Sequence, residues 1–363
     1  MTHGKKTVIL ALGVLMTLPL AGADKPPKGR PAAMPAKPDL VWPLPPSPPR
    51  IRWVDQFRGL DEFTEKKKQS WMARVAGEKP AEDRNLLRQP YGVTADQRGR
   101  IYVADSGQRT IFIIDRANRK VESRRGTPSH PLALPVGVAV DGQDRLFVSD
   151  AFLHAILCYG PDGRVLGYFG GDKLERPGGM ALDGKRNRLY VADAKAHRIA
   201  VFRSDSFAFE RYIGGPSHGD LREPGLFAAP TNVAVDGKGN LYVTDTWNHR
   251  VQIFDQKGAF VRTFGSHGVT PGQFVRPKGI AVDSEGHIYV ADAEFNNFQV
   301  FSPEGKVLLA VGSFGNDPGQ FTLLTGLFID SENRIITTEQ DNARVQVFQY
   351  IPPPPSAAGK EEK

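Results

Sequence analysis

The chain has 363 residues, of which 38 are glycine and 29 proline, a composition suited to short strands joined by tight turns rather than to a helical bundle. Its formal charge of +7 comes from 47 basic and 40 acidic residues, interspersed and without the run of like charges that marks a nucleic-acid-binding arm. The single cysteine, Cys158, excludes an intramolecular disulfide framework and any CxxC motif, and its neighbours Ile156, Leu157 and Tyr159 predict a small buried hydrophobe.

Residues 1–23 have the three parts of a secretory signal peptide. Lys5 and Lys6 precede an apolar run from Val8 to Leu20, and Ala21-Gly-Ala23 supplies the cleavage site. The run is too short for a comfortable membrane span, so no transmembrane segment is expected after cleavage, and the mature chain is expected to be periplasmic or secreted. Residues 24–49 hold ten prolines from Pro26 to Pro49 and predict an extended spacer, with a docking site for a proline-recognising partner as the second reading. Arg50 to Phe57 reads as a strand. Residues 60–77 predict a short helix ending at Gly77, with Phe63, Trp71, Met72 and Val75 opposite Lys66, Lys67 and Lys68. Packing on the fold is the first expectation for this helix; partner docking and membrane-surface binding are the others.

From Gln89 to Tyr350 the chain repeats itself. Each copy opens on Pro90, Pro135, Pro177, Pro230, Pro277 or, in the last copy, Leu324. Each second strand closes on an acid: Asp105, Asp150, Asp193, Asp245, Asp292 and Glu339. These acids are spaced as the blades of a four-stranded propeller are, so the repeat predicts an all-β, six-bladed β-propeller over residues 50–351. Strands such as Val233-Ala-Val235 are apolar on both faces because blades pack face to face. The acid is expected to accept hydrogen bonds from the N–H groups of the loop that follows it. The sixth copy lacks an outer strand, since Pro352 follows its third strand directly. Residues 50–57 are therefore expected to close the ring there, sheltering a bare edge. Residues 352–363 predict a flexible tail.

The string Val243-Thr-Asp-Thr-Trp-Asn-His-Arg-Val-Gln-Ile-Phe254 closely resembles the NHL repeat, and Gly265 to Phe274 resembles that family's link between blades. The resemblance implies a six-bladed propeller. It also brings in a six-bladed relative, the peptide-amidating lyase, whose likeness would imply zinc held by three histidines. Two of those ligands would directly follow the first-strand proline, and the third would fall at His154. The residues after the proline position here are Tyr91, Val136, Gly178, Thr231, Lys278 and Thr325, so two of the three ligands are missing.

Candidate site residues gather on the face built from second-to-third-strand loops and inter-blade links. Four residues after each acid stand Arg109, His154, His197, His249, Asn296 and Ala343. The three histidines read first as structural hydrogen-bonders, then as ligand contacts, then as metal ligands. Phe152, Trp247 and Phe295 vary from repeat to repeat on the same face, as recognition residues on a fixed scaffold do. Tyr91 and Lys278 add polar groups at the channel mouth. No nucleophile elbow, HExxH or phosphate-binding glycine loop is present, so no catalytic residue and no cofactor is assigned. The leading expectation is a non-catalytic, exported scaffold for a protein or peptide partner, without nucleic acid. The alternative is a metal-dependent lyase or hydrolase of the amidating-lyase or gluconolactonase-like type, in which the channel would hold a divalent metal.

Overall fold

The computed structural model describes residues 37–59, 63, 86–215 and 223–353. The signal peptide at 1–23, most of the helix at 60–77 and most of the tail fall outside the described residues. Within them the fold is all-β, and its only helix is the 3-10 turn Thr246–Asn248. Six sheets follow one another in chain order. Blade 1 comprises Pro90–Ala95, Ile101–Asp105, Thr110–Asp115 and Lys120–Arg124, and blades 2 to 5 repeat that up-and-down meander from Pro135, Pro177, Pro230 and Pro277.

Blade 6 takes its first three strands from the end of the chain, Leu324–Ile329, Arg334–Glu339 and Arg344–Tyr350. Its outer strand is Ile51–Phe57, antiparallel to Arg344–Tyr350 with Ile51 opposite Tyr350 and Phe57 opposite Val345. Val41–Trp42 adds a fifth strand beyond it. The proline-rich stretch expected to be spacer therefore contributes to the sheet, and Trp42 sets its ring edge-on against Phe348, with centroids 5.8 Å apart.

Strands apolar on both faces bury one face against each neighbouring blade. Between blades 1 and 2, Tyr102, Ile111 and Ile113 meet Val138, Val148 and Leu157. Between blades 6 and 1, Phe57, Ile336 and Val345 meet Ile101, Val103 and Ile114. Around the channel the inner strands approach so closely that a side chain does not fit. A Cβ on Gly92 would lie 2.3 Å from the Val136 carbonyl oxygen, and one on Gly137 equally near that of Gly178.

Each first-to-second-strand turn is organised by its own acid. Asp236 accepts from the N–H groups of Lys238 (2.8 Å) and Asn240 (2.9 Å) and from the Tyr242 hydroxyl (3.1 Å). Asp283 does the same for Glu285, His287 and Tyr289. These short, alike turns form the face opposite the candidate site.

Candidate functional site

The second-strand acids are fully buried, and their oxygens are occupied by the loops on both sides. Asp150 accepts from the N–H groups of Ala133 (2.7 Å) and Leu134 (3.0 Å) in the preceding inter-blade link. It accepts also from Phe152 and Leu153 (both 3.0 Å) in the loop that follows. Asp292 repeats this with Val275 and Arg276 on one side and Glu294 and Phe295 on the other. The expected bonds to the following loop are present, and the bonds to the link some seventeen residues upstream are an addition. In blades 4 and 6 a buried arginine joins: Arg250 Nε donates to Asp245 at 2.8 Å, and Arg344 donates to Glu339. Burial pushes the Asp245 carboxyl up, while the bonds from Ala228, Asn248 and Arg250 pull it back.

The residue four places on adopts a left-handed backbone in every blade, with φ from 47° at Ala343 to 55° at His154. In blades 2 to 5 its side chain reaches the next blade's link. His249 Nδ1–H donates to the Val275 carbonyl at 2.8 Å, and His154 Nδ1–H donates likewise to that of Glu175. His197 Nδ1 instead accepts from Ala229 N–H at 2.9 Å, which puts its proton on Nε2. Asn296 Oδ1 accepts from Leu323 N–H at 2.6 Å. Three histidines at equivalent positions thus serve as blade-to-blade ties and carry two different tautomers. Among the described residues, no group of three His, Cys, Asp or Glu side chains converges to hold a metal ion.

On the same face the channel opens into a cavity of about 310 Å³. Three of the predicted residues meet there, Tyr91, Trp247 and Lys278, together with Arg176, Arg276 and Gln340. Lys278 Nζ donates to the Tyr91 hydroxyl at 3.0 Å and lies 5.3 Å from the centre of its ring, so blades 5 and 1 touch across the start of blade 6. Their backbones are pinned from neighbouring blades, since Thr244 Oγ1 donates to the Lys278 carbonyl (2.8 Å) and Thr338 Oγ1 to that of Tyr91. Trp247 is 68% exposed and stands at the rim. Phe152 is 70% exposed but does not line the cavity, and Phe295 is half-buried beside Asn296, also away from it. His154, His197 and His249 lie outside it as well.

Arg176 and Arg276 are the mouth residues that the sequence reading passed over. Both directly precede a first-strand proline, and their positional match in two blades is the signal that would have found them. Below the mouth the channel narrows to a second cavity of about 190 Å³, with Val140, Leu182, Val235, Val282 and Ile329 along its wall.

Six radial sheets, five of four strands and one of five, around such a channel define a six-bladed β-propeller. Family models agree: one described as a 6-bladed beta-propeller matches residues 222–298, and one described as an NHL repeat matches residues 174–202. On that six-bladed fold the chain carries NHL-type repeat sequence over the matched residues. Among curated proteins it is 27% identical over 191 residues to peptidyl-glycine alpha-amidating monooxygenase B of Xenopus laevis. That match covers 50% of this chain and 20% of the relative, so the chain spans about a fifth of that protein's length. Among solved structures, virginiamycin B lyase from Staphylococcus aureus superposes with a TM-score of 0.55 at 13% identity, over 82% of this chain and 99% of that one. An auxiliary nutrient binding protein from Bacteroides thetaiotaomicron superposes with a TM-score of 0.57 at 14% identity, over 75% and 71%. At these identities the likeness is one of fold.

Proposed function

We propose that the protein is an exported, non-catalytic binding module that presents the loop face of its propeller to a protein or peptide partner. The observation that carries the reading is the division of labour on that face. The repeat acids and the histidine Nδ1 atoms are spent on holding loops, whereas Trp247 exposes most of its surface at the rim of an open cavity and Phe152 most of its own elsewhere on the same face. Exposed aromatics next to a concave site are favoured anchors for a partner. Export rests on the three-part signal at residues 1–23, and the nutrient-binding likeness is in keeping with a binding role outside the cytoplasm. Within the same reading, strand Ile51–Phe57 acts as the clasp of the ring, covering the edge of Arg344–Tyr350.

The test is capture of a partner from native envelope extract by the untagged wild-type protein and by Trp247→Ala and Phe152→Ala. The proposal expects a stoichiometric partner whose retention falls by at least ~10-fold in Trp247→Ala, with melting temperatures nearly unchanged because the lost side chains are exposed. Unchanged retention in both variants removes the face from consideration. A tightly held stoichiometric metal in the purified protein favours the metal-dependent lyase or hydrolase instead.

A further inference from the structure

We infer that the channel mouth is a carboxylate pocket, with Lys278 as its principal counter-ion. This rests on the reading of the loop face as the partner surface and names the chemistry that the surface selects. Arg176, Arg276 and Lys278 all line the cavity, and no Asp or Glu does. The six repeat acids behind it are buried and already bonded to backbone N–H groups or arginine. Of the acids nearest the rim, Glu175 pairs with Lys195 at 3.5 Å, while Glu294 and Asp341 sit exposed on loops outside the cavity. Among the described residues, three cationic residues therefore line one concavity with no carboxylate lining it beside them.

Lys278 is the most constrained of the three. It is half-buried, and its ammonium bonds only the neutral Tyr91 hydroxyl and faces the tyrosine ring. A half-desolvated cation without a counter-charge gains strongly when an anion arrives, more than an exposed one does. One of its three N–H donors is used by Tyr91, which leaves two for a ligand. Because the Tyr91 oxygen accepts from the ammonium, its own O–H is free to donate to the same ligand. Leu134, Val136 and Ala151 supply apolar wall beside these donors. That combination fits a carboxylate carried on an apolar body, and at about 310 Å³ the space exceeds what a bare inorganic anion needs. On a peptide or protein partner the group is either the chain terminus or an acidic side chain.

The experiment measures binding of three N-acetylated tetrapeptides at low salt by isothermal titration calorimetry. They are Gly-Ala-Ala-Phe as the free acid, the same peptide as its C-terminal amide, and Gly-Ala-Glu-Phe as the amide. A carboxylate pocket makes the free acid, the glutamate peptide, or both bind at least ~10-fold tighter than the neutral amide, and rising salt shrinks that advantage. The arm that gains identifies the source of the carboxylate. Lys278→Met erases the difference, and Lys278→Arg keeps it. The circular dichroism of each variant confirms that the propeller is intact. Equal binding of all three peptides, no binding of any at millimolar concentration, or a difference that survives Lys278→Met each overturns the inference. Equal binding that is still lost in Trp247→Ala leaves the partner face standing and removes only its charge selectivity.

Discussion

Replacing Asp150 by alanine removes one side chain that holds two loops. Its oxygens accept from Ala133, Leu134, Phe152 and Leu153, and the residue is fully buried. No arginine shares this site, unlike Asp245 and Glu339, so the substitution orphans loop N–H groups alone and leaves no buried guanidinium unpaired. Each hydrogen bond to an ionised acceptor contributes about 1.5–3 kcal/mol, but the four are not additive. Phe152 and Leu153 lie on the loop exposed to solvent and can turn to water. The Ala133 and Leu134 N–H groups lead into the inner strand and are left short of partners, so the expected loss is about 3–4 kcal/mol. For a propeller of about 300 residues that lowers the melting temperature by roughly 5–6 °C. Asp150→Asn keeps an acceptor for Phe152 and Leu153 but turns an amide NH₂ towards the Ala133 N–H, so its cost is smaller, about 1–2 kcal/mol. Thermal melts and denaturant titrations of both variants decide the matter. If Asp150→Ala unfolds with the wild type, or Asp150→Asn is the more damaging of the two, the acid is not the staple described above.

Two further outcomes follow from the fold. Burial first, and the neighbouring acid second, push the phenols of Tyr102, Tyr242 and Tyr289 above their ordinary value. A raised folded-state pKa means that the native chain holds a proton the unfolded chain has lost. Stability is therefore full below the free phenol pKa near 10 and falls as pH climbs past it, by about 1.4 kcal/mol per pH unit for each tyrosine. Denaturant titrations at pH 9 to 12 should show a slope that is shallower by one such share in Tyr289→Phe; an identical slope refutes the assignment. Deleting residues 50–57 should abolish the cooperative transition, because it removes the buried Ile51, Trp53 and Phe57 at ~2–5 kcal/mol each. It also removes the Arg116–Asp55 ion pair to blade 1. Deleting residues 25–36 should leave the melt unchanged, and equal melts for both deletions would sink the clasp role.

The ring was legible because every blade is made with the same few residues. A proline opens the first strand, where no ladder donor is needed, and an acid closes the second, where loop N–H groups need an acceptor. The burial of Cys158 was legible too, from an apolar run that the blade interface now explains; burial pushes its thiol up to about 12. Other parts left less trace. The link residues that the acids bind contribute only backbone N–H groups, so Ala133-Leu134 and Arg88-Gln89 share no side-chain signature. Val41–Trp42 disappeared among prolines, although two strand-forming residues there were enough to pair with Ile51 and Arg52. His154, His197 and His249 drew attention as possible ligands, whereas a left-handed backbone turns each ring towards the next blade's link.

The mouth was legible only in part, through Tyr91, Trp247 and Lys278 but not Arg176 or Arg276, and the reason is physical. Repetition marks the positions whose bonds every blade must make, so a side chain that answers to something outside the ring does not repeat. Tyr91 and Lys278 occupy equivalent places in blades 1 and 5, where the other four blades carry Val136, Gly178, Thr231 and Thr325. Their backbones follow the common frame, and hydroxyl groups of the adjoining blades bind their carbonyl oxygens as Ser149 binds that of Gly178. Only the side chains depart, and they depart into the cavity at the channel mouth on this face. Arg176 and Arg276 follow the same logic: their backbone N–H groups serve the repeat acids Asp193 and Asp292, while the two residues line the mouth with exposed side chains. The frame thus fixes where these charges sit without using them, which is the condition for a scaffold to present them to something else.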